Sequence, residues 1–323
     1  MEKPKIFIAN PVPEDVEEFL KESCECVKWD FRYPKTLEGI LENIRDVDGV
    51  IQVGMKIDDR ILDNAPRLKV VSNISVGYNN YDLDAMKRRG IIGTNTPGVL
   101  DNTVSDLILG LILNSARRIP ELNRFTKSGS WVKADNSDLF GKDIHGSSLG
   151  IIGMGRIGEK VARRAKLGFG MDVSYYNRSR KLEVEEELGI VYRPMEEILK
   201  ISDFVLLMTP LTPETTHLVG EKELKLMKAS AFLINASRGQ VVDEKALIKA
   251  LEEGWIAGAG LDVYEKEPID ADNPLLRLQN AVTVPHIGSA TTKTRDEMAW
   301  AAAKALVDEL YGKNSGMRVP ELS

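Results

Sequence analysis

Leu149-Gly-Ile-Ile-Gly153-Met-Gly155-Arg156-Ile157-Gly158-Glu159 is the stretch on which the fold turns. An apolar run leads into G-x-G-x-x-G, and a helical pattern over Glu159–Leu167 follows it. Alone, the glycine pattern is common. Between a buried strand and a helix it reads as the phosphate-binding turn of a dinucleotide fold. Gly153 permits the tight turn, Gly155 lets the backbone approach a pyrophosphate, and Gly158 lets the helix pack closely on the strand. The helix start then offers unpaired N–H groups and a positive dipole to an anion.

Downstream, the apolar runs continue at Asp172–Tyr176, Phe204–Met208, Ala231–Ala236, Gly258–Val263 and Ala281–Val284, with helical patterns between most of them. With Leu149–Gly153 they make six strands, as many as a complete doubly wound parallel sheet needs. Upstream, Lys5–Ala9, Val50–Val53 and Leu68–Ile74 read as strands, and Glu14–Lys21, Ile57–Leu62 and Leu83–Arg89 as helices. Alternating β and α segments imply a second parallel α/β sheet. Thr96-Pro-Gly marks a boundary before the long apolar helix Thr103–Arg117. The final helix, Lys293–Tyr311, is expected to return to the first sheet. The fold class predicted is therefore α/β. A Rossmann cofactor domain over 101–287 is inserted in a smaller, flavodoxin-like substrate domain made of 1–100 and 288–323. A chain of 323 residues is long enough for two such cores.

The end of the second strand of the cofactor series lies 19 residues beyond Gly158 and reads Asn177-Arg178-Ser179-Arg180-Lys181. A carboxylate at this point would hold a ribose 2′-hydroxyl and repel a 2′-phosphate. Asn, Arg, Ser, Arg and Lys in its place predict NADP(H) as the preferred cofactor, with NAD(H) possible, because a guanidinium pairs with phosphate oxygens as a fork. A solvated basic turn before the acidic stretch Glu183–Glu187 is the other reading.

Three later strand ends carry chemistry. Ile234-Asn-Ala-Ser-Arg238-Gly ends one, Leu261-Asp262-Val-Tyr-Glu-Lys-Glu267-Pro the next, and Val284-Pro-His286-Ile-Gly288 the one after. Doubly wound sheets bind ligands at the carboxyl ends of their strands. Ketone reduction needs a hydride at carbon and a proton at oxygen, and His is a natural proton donor near neutral pH. A Glu behind it fixes the tautomer and favours the protonated ring. An Arg can hold a substrate carboxylate and polarise the carbonyl. Each residue alone has a structural explanation, as a satisfied histidine, a surface acid or a strand-end cap. Three on adjacent strand ends do not.

Composition sets outer limits. The net charge of −6 argues against a nucleic-acid surface. No window holds the ~18 apolar residues of a membrane span, and the first apolar run, Ile6-Phe-Ile-Ala, is too short for a signal sequence. Cys24 and Cys26 lack a second pair of ligands, so metal is not expected and two free thiols are. A reducing, cytoplasmic setting follows. His145 and His217 lie beside no carboxylate at a matching strand end, so structural or surface roles are expected for both.

The glycine loop, Asn235-Ala-Ser-Arg238-Gly, Gly260-Leu-Asp262-Val-Tyr-Glu-Lys-Glu267-Pro and Pro285-His286-Ile-Gly-Ser together resemble the D-2-hydroxyacid dehydrogenase family. Asn73-Ile-Ser-Val-Gly77-Tyr-Asn-Asn-Tyr-Asp82 and Thr96-Pro-Gly-Val-Leu100 look like its substrate-side loops. The likeness spans nearly the whole chain and is strongest to the NADPH-dependent glyoxylate/hydroxypyruvate and 2-ketogluconate reductases. It implies a catalytic triad of Arg238, Glu267 and His286. It implies substrate contacts at Val76, Gly77, Leu100, Arg238 and His286, with the Val76 and Gly77 N–H groups on the carboxylate. Cofactor contacts are implied at Thr103, Gly153, Gly155, Arg156, Ile157, Gly158, Asn177, Arg178, Ser179, Pro210, Ala236, Ser237, Asp262 and Gly288. Asp262 and the Ala236 carbonyl would hold the carboxamide. A homodimer through the cofactor domains is implied, with Thr103–Arg117 in the interface and Trp131 near the partner's site or in packing. Asn177 departs from the commoner NAD-type pattern. Two alternatives remain at this point. A phosphoglycerate dehydrogenase-like enzyme is disfavoured by the short stretch after Tyr311, and a cofactor-sensing corepressor shares the fold. The formate dehydrogenase branch has Gln where Glu267 stands.

Overall fold

The computed structural model describes residues 2–133 and 137–322. The chain divides into two compact units, 1–100 with 289–323, and 101–288.

The first unit is a five-stranded sheet of β1 (Lys5–Ile8), β2 (Glu25–Lys28), β3 (Gly49–Gln52), β4 (Val70–Asn73) and β5 (Ile92–Thr94) in the order β2-β1-β3-β4-β5. Every pairing is parallel. This is the flavodoxin-like order. The central strands β3 and β4 are buried along their whole length, with Val50, Ile51, Val70 and Val71 as their apolar residues and Gln52, Ser72 and Asn73 buried beside them. Two strands were not evident from the pattern. β2 lies at an edge and its side chains are half-exposed, so its Glu-Cys-Val-Lys carries little apolar signal. β5 has three residues, Ile-Gly-Thr, too few for a period. The helix Leu37–Ile44 was missed as well.

The helix Thr292–Leu310 packs on β3 and β4. Ser72 Oγ on β4 donates to the Ala302 carbonyl at 2.8 Å. Trp300 Nε1 donates to Asp15 at 2.9 Å, and its ring meets Phe19 at 5.3 Å. The last helix of the chain is thus part of the first sheet's core. Cys24 and Cys26 are free. Burial pushes the Cys24 thiol up to about 12, so it stays protonated and unreactive.

The second unit has seven strands, one more than the pattern predicted: β6 (Ser148–Ile152), β7 (Asp172–Tyr176), β8 (Val191–Tyr192), β9 (Phe204–Leu207), β10 (Phe232–Asn235), β11 (Gly258–Leu261) and β12 (Ala281–Thr283). Their order is β12-β11-β10-β9-β6-β7-β8, all parallel. The added strand, β8, is a two-residue edge piece. Counted from β6, the order is doubly wound, and it reverses between β6 and β9, where such sheets take their ligands. Among the described residues, no helix is long and apolar enough to cross a membrane.

Asp203 ties the amino ends of this sheet together. One carboxylate oxygen accepts from Lys142 at 2.8 Å and Lys228 at 3.2 Å, and the other from the Ser148 N–H at 3.0 Å and hydroxyl at 2.8 Å. Burial opposes its charge, but these donors outweigh burial and hold the carboxyl far below the usual range. A depressed folded-state pKa adds stability above the unfolded value of ~3.9, and that stability is lost as pH falls through the folded value. Asp203→Asn is expected to lower unfolding stability near pH 7 by roughly 1–3 kcal/mol. The gap to the parent should narrow below about pH 4. Guanidinium titrations at both pH values check this, and a gap that widens in acid would refute it.

Candidate active site

The site is built at the carboxyl edge of the second sheet. β6 ends at Ile152, and Gly153 turns with φ 105°, where a Cβ would stand 2.6 Å from the Met208 carbonyl carbon. Only glycine fits that crossing over the end of β9. A Cβ at Gly158 would meet the Gly153 carbonyl oxygen at 2.6 Å, so the helix Arg156–Phe169 sits directly on the turn. Gly155 is its N-cap, no side chain caps it, and a Cβ there would project into open space. An uncapped helix start with free space before it fits an anionic phosphate group. Arg156 reaches Asp101 at 3.3 Å. Asp101 is almost fully buried, and its other carboxylate oxygen has no partner among the described residues.

Beyond β7, the basic cluster separates into distinct roles. Arg180 is paired with Glu185 and lies over the Tyr192 ring at 5.6 Å. Lys181 lies 3.4 Å from Glu159. Both were expected to be available for a phosphate, and both are engaged in ion pairs. Arg178 forms no hydrogen bond or ion pair among the described residues. Asn177 Nδ2 donates to the Ser179 carbonyl at 3.0 Å and shapes the turn. After β9, Thr215 Oγ1 donates to the Pro210 carbonyl at 2.6 Å. The neighbouring Thr209 hydroxyl is buried without a partner among the described residues. The sequence reading missed Thr209, and a Thr-Pro step closing a buried strand was the available signal.

β10 ends at Asn235, whose side chain organises the next turn. Its Oδ1 accepts from the Ser237 N–H at 3.1 Å and hydroxyl at 2.9 Å, and its Nδ2 donates to the Arg238 carbonyl at 2.9 Å. This places Ala236, Ser237 and Arg238 in one rigid bend. The Arg238 guanidinium donates to the Ser237 carbonyl at 2.6 Å. Burial lowers its pKa and the Glu267 charge opposes that, yet an Arg stays protonated.

β11 ends at Leu261, and Asp262 follows, buried. Its two oxygens accept from the Ile287 N–H at 2.6 Å and the Gly288 N–H at 2.9 Å. Burial raises its pKa against those two bonds. In this structure Asp262 therefore fixes the turn that carries His286. Gly288 is needed there, since a Cβ would come within 3.0 Å of Asp262 and 3.4 Å of Val104. On the long helix Asp101–Ala116, it is Val104, next to Thr103, that turns toward this point.

His286 Nδ1 lies 2.7 Å from Glu267 Oε2, and Glu267 Oε1 accepts from the Tyr264 N–H at 3.0 Å. Burial disfavours the Glu267 charge, but His286, the Tyr264 N–H and Arg238 outweigh it and hold the carboxyl below the ordinary range. An ionised carboxylate on Nδ1 sets the tautomer with the proton there. Nε2 has no partner among the described residues and is free to exchange a proton. His286 has φ 49°, a left-handed conformation that costs about 1 kcal/mol or more outside glycine. Strain held in place beside a hydrogen-bonded dyad is typical of a working site.

In the first unit, β4 ends at Asn73, which donates to Ser75 Oγ at 2.7 Å and the Gly77 carbonyl at 2.8 Å. Asn95 donates to the Val76 carbonyl at 2.7 Å. These bonds turn the carbonyls of Val76 and Gly77 inward. Their N–H groups have no partner among the described residues, a pattern suited to a carboxylate. Leu100 is buried.

His145 Nδ1 pairs with the Phe169 carbonyl at 3.1 Å, a structural role. His217 differs from the expectation. It lies 2.8 Å from Glu265, a carboxylate 48 residues away that no local pattern could have linked to it.

Residues 109–288 match the family model of the D-isomer specific 2-hydroxyacid dehydrogenase, NAD binding domain. The chain is 50% identical over 310 residues to a glyoxylate reductase of Thermococcus gammatolerans, covering 94% of this chain and 92% of that one. It is 43% identical to a glyoxylate/hydroxypyruvate reductase B of Enterobacter sp., over 96% of both chains. Among solved structures it resembles an NADPH-dependent glyoxylate/hydroxypyruvate reductase of Sinorhizobium meliloti in complex with NADP and malonate. That match has a TM-score of 0.87 and 33% identity, covering 99% of this chain and 98% of that one. With a glycine-turned dinucleotide fold and an Arg, a Glu and a His on three adjacent strand ends, the chain belongs to the D-isomer specific 2-hydroxyacid dehydrogenase family.

Proposed function

We propose that this protein reduces glyoxylate and related small 2-oxo acids, hydroxypyruvate and 2-ketogluconate among them, with NADPH preferred over NADH. The observation that carries this reading is the Glu267–His286 pair, with Nε2 unpartnered among the described residues, one strand end removed from Arg238.

When bound, the cofactor supplies a hydride to the carbonyl carbon. Arg238 pairs with the substrate carboxylate and draws charge onto the carbonyl oxygen. His286 Nε2 gives that oxygen its proton, and Glu267 holds the ring on Nδ1 while it does so. The N–H groups of Val76 and Gly77 take the carboxylate, and Leu100 lines the substrate. Gly153, Gly155, Arg156, Ile157 and Gly158 hold the pyrophosphate. Asn177, Arg178 and Ser179 hold the ribose and its 2′-phosphate. Thr103, Pro210, Ala236, Ser237, Asp262 and Gly288 line the nicotinamide side. The 1–100 and 289–323 unit is the substrate domain in this reading.

The test is NADPH and NADH oxidation against a panel of 2-oxo acids. The parent is expected to show higher kcat/KM with NADPH. Arg178→Ala should remove roughly 10- to 100-fold of that preference, the worth of one charge-assisted phosphate contact. Equal or better use of NADH by the parent would overturn the cofactor assignment.

Two copies are proposed to join through their cofactor units along the Asp101–Ala116 helix. Ile119, Trp131 and Phe140 follow that helix and are exposed, which supports a covered face. Sedimentation at the mass of one chain would count against this.

A further inference from the structure

His217 and Glu265 form a second histidine–carboxylate pair that the mechanism above does not use. His217 Nε2 lies 2.8 Å from Glu265 Oε1, and His217 holds φ 51°, close to the 49° of His286. Its N–H donates to the Gln240 carbonyl at 2.8 Å. The Gln240 side chain donates in turn to the Glu265 carbonyl at 2.6 Å. Glu265 is further fixed by Glu244, whose N–H it accepts at 3.2 Å and whose carboxylate takes the Glu265 N–H at 3.1 Å. Under these bonds the two loops touch backbone to backbone, since a Cβ on Gly239 would stand 1.8 Å from the Tyr264 carbonyl carbon. The loops after β9, β10 and β11 therefore meet at one junction. Gln240 is two residues after Arg238, and Glu265 two before Glu267.

Magnitudes argue against stability as the purpose of the pair. The side chains are 50% and 31% exposed, and exposed ion pairs contribute ~0–1 kcal/mol. A left-handed His costs about that much or more. The junction gains little stability and fixes geometry. We propose that His217 and Glu265 are positioning residues that set the Arg238 loop against the Glu267 loop, an inference that rests on the reductase reading above. The contact needs only an N–H on Nε2, so a neutral ring serves as well as a charged one.

The two variants that separate geometry from strain are His217→Asn and His217→Gln. Asn tolerates a left-handed backbone but is too short to reach Glu265. Gln places an amide N–H at the reach of Nε2. Misplacing a substrate-binding group by 1 Å can cost ~10²-fold. His217→Asn is expected to lower kcat/KM for glyoxylate by about tenfold, chiefly through a higher KM, with cofactor Kd unchanged, since a partial shift costs less than that limit. His217→Gln should recover most of the loss. Amide hydrogen exchange gives a readout independent of turnover: Val241, Val242 and Tyr264 N–H groups should exchange faster in the Asn variant and at the parent rate in the Gln variant. Unchanged kinetics and exchange in the Asn variant would overturn the proposal, as would equal losses in both variants. If the parent reduces no 2-oxo acid, the reductase reading fails, and parental exchange rates in the Asn variant would then sink the junction on its own.

Discussion

Replacing His286 by Asn is expected to lower kcat for glyoxylate reduction by roughly 10²–10⁴-fold, the usual worth of a positioned general acid. The structure makes this substitution a clean one. Asn accepts the left-handed backbone at φ 49°, so the turn held by Asp262 survives. What is lost is Nε2, the ring nitrogen without a partner among the described residues. Cofactor affinity should change little, because Gly153–Gly158 and Arg178 stand on the loops after β6 and β7 and not on that of β12. Glu267 sets the lower pH limit of the arrangement. Its carboxyl is held below the ordinary range, so it stays ionised through ~4.3, the usual value, and loses its charge only as pH falls through the depressed one. A parent-like rate in His286→Asn, measured at saturating cofactor, would remove His286 from the proton path.

Arg238→Ala is expected to act on binding and chemistry together, with a higher KM for the 2-oxo acid and a kcat about 10²–10³-fold lower. The bend that carries Arg238 is held by Asn235 through main-chain groups, so truncation should leave it in place. Arg238→Lys should recover little, because a single ammonium lacks the fork that grips a carboxylate at two points. Steady-state kinetics on both variants check this. An Arg238→Ala enzyme with only KM raised would show that Arg238 binds the substrate without polarising it.

The parts of this molecule that were legible in its sequence are those with a local signature. The glycine turn could be read because Gly153 and Gly158 have no room for a Cβ and therefore require glycine at those two positions of the motif. The buried strands β6, β9 and β10 could be read because burial on both faces favours apolar runs, and β3 and β4 through the paired apolar residues Val50-Ile51 and Val70-Val71. The edge strands β2 and β8 could not, since one side of each is wet and the pairing partner supplies what the side chains do not. Within the site, Arg238, Glu267 and His286 were marked by their strand ends. The engagement of Arg180 by Glu185 and the partnership of His217 with Glu265 were not, because each depends on where a side chain points after folding. Val104 and Thr209 were passed over for the same reason, since the approach of Val104 to Gly288 and the burial of the Thr209 hydroxyl arise only in the folded chain.

The most direct test of the whole account follows the hydride. Parent enzyme is incubated with hydroxypyruvate and NADPH carrying deuterium at the transferable position of the nicotinamide, and the product is examined for configuration and label. The account predicts D-glycerate with deuterium on the carbon that bore the ketone, one molecule formed for each NADPH oxidised. Tight NADPH binding with no labelled hydroxy acid, here and across the other 2-oxo acids, would contradict it and leave a cofactor-binding protein on a dehydrogenase fold.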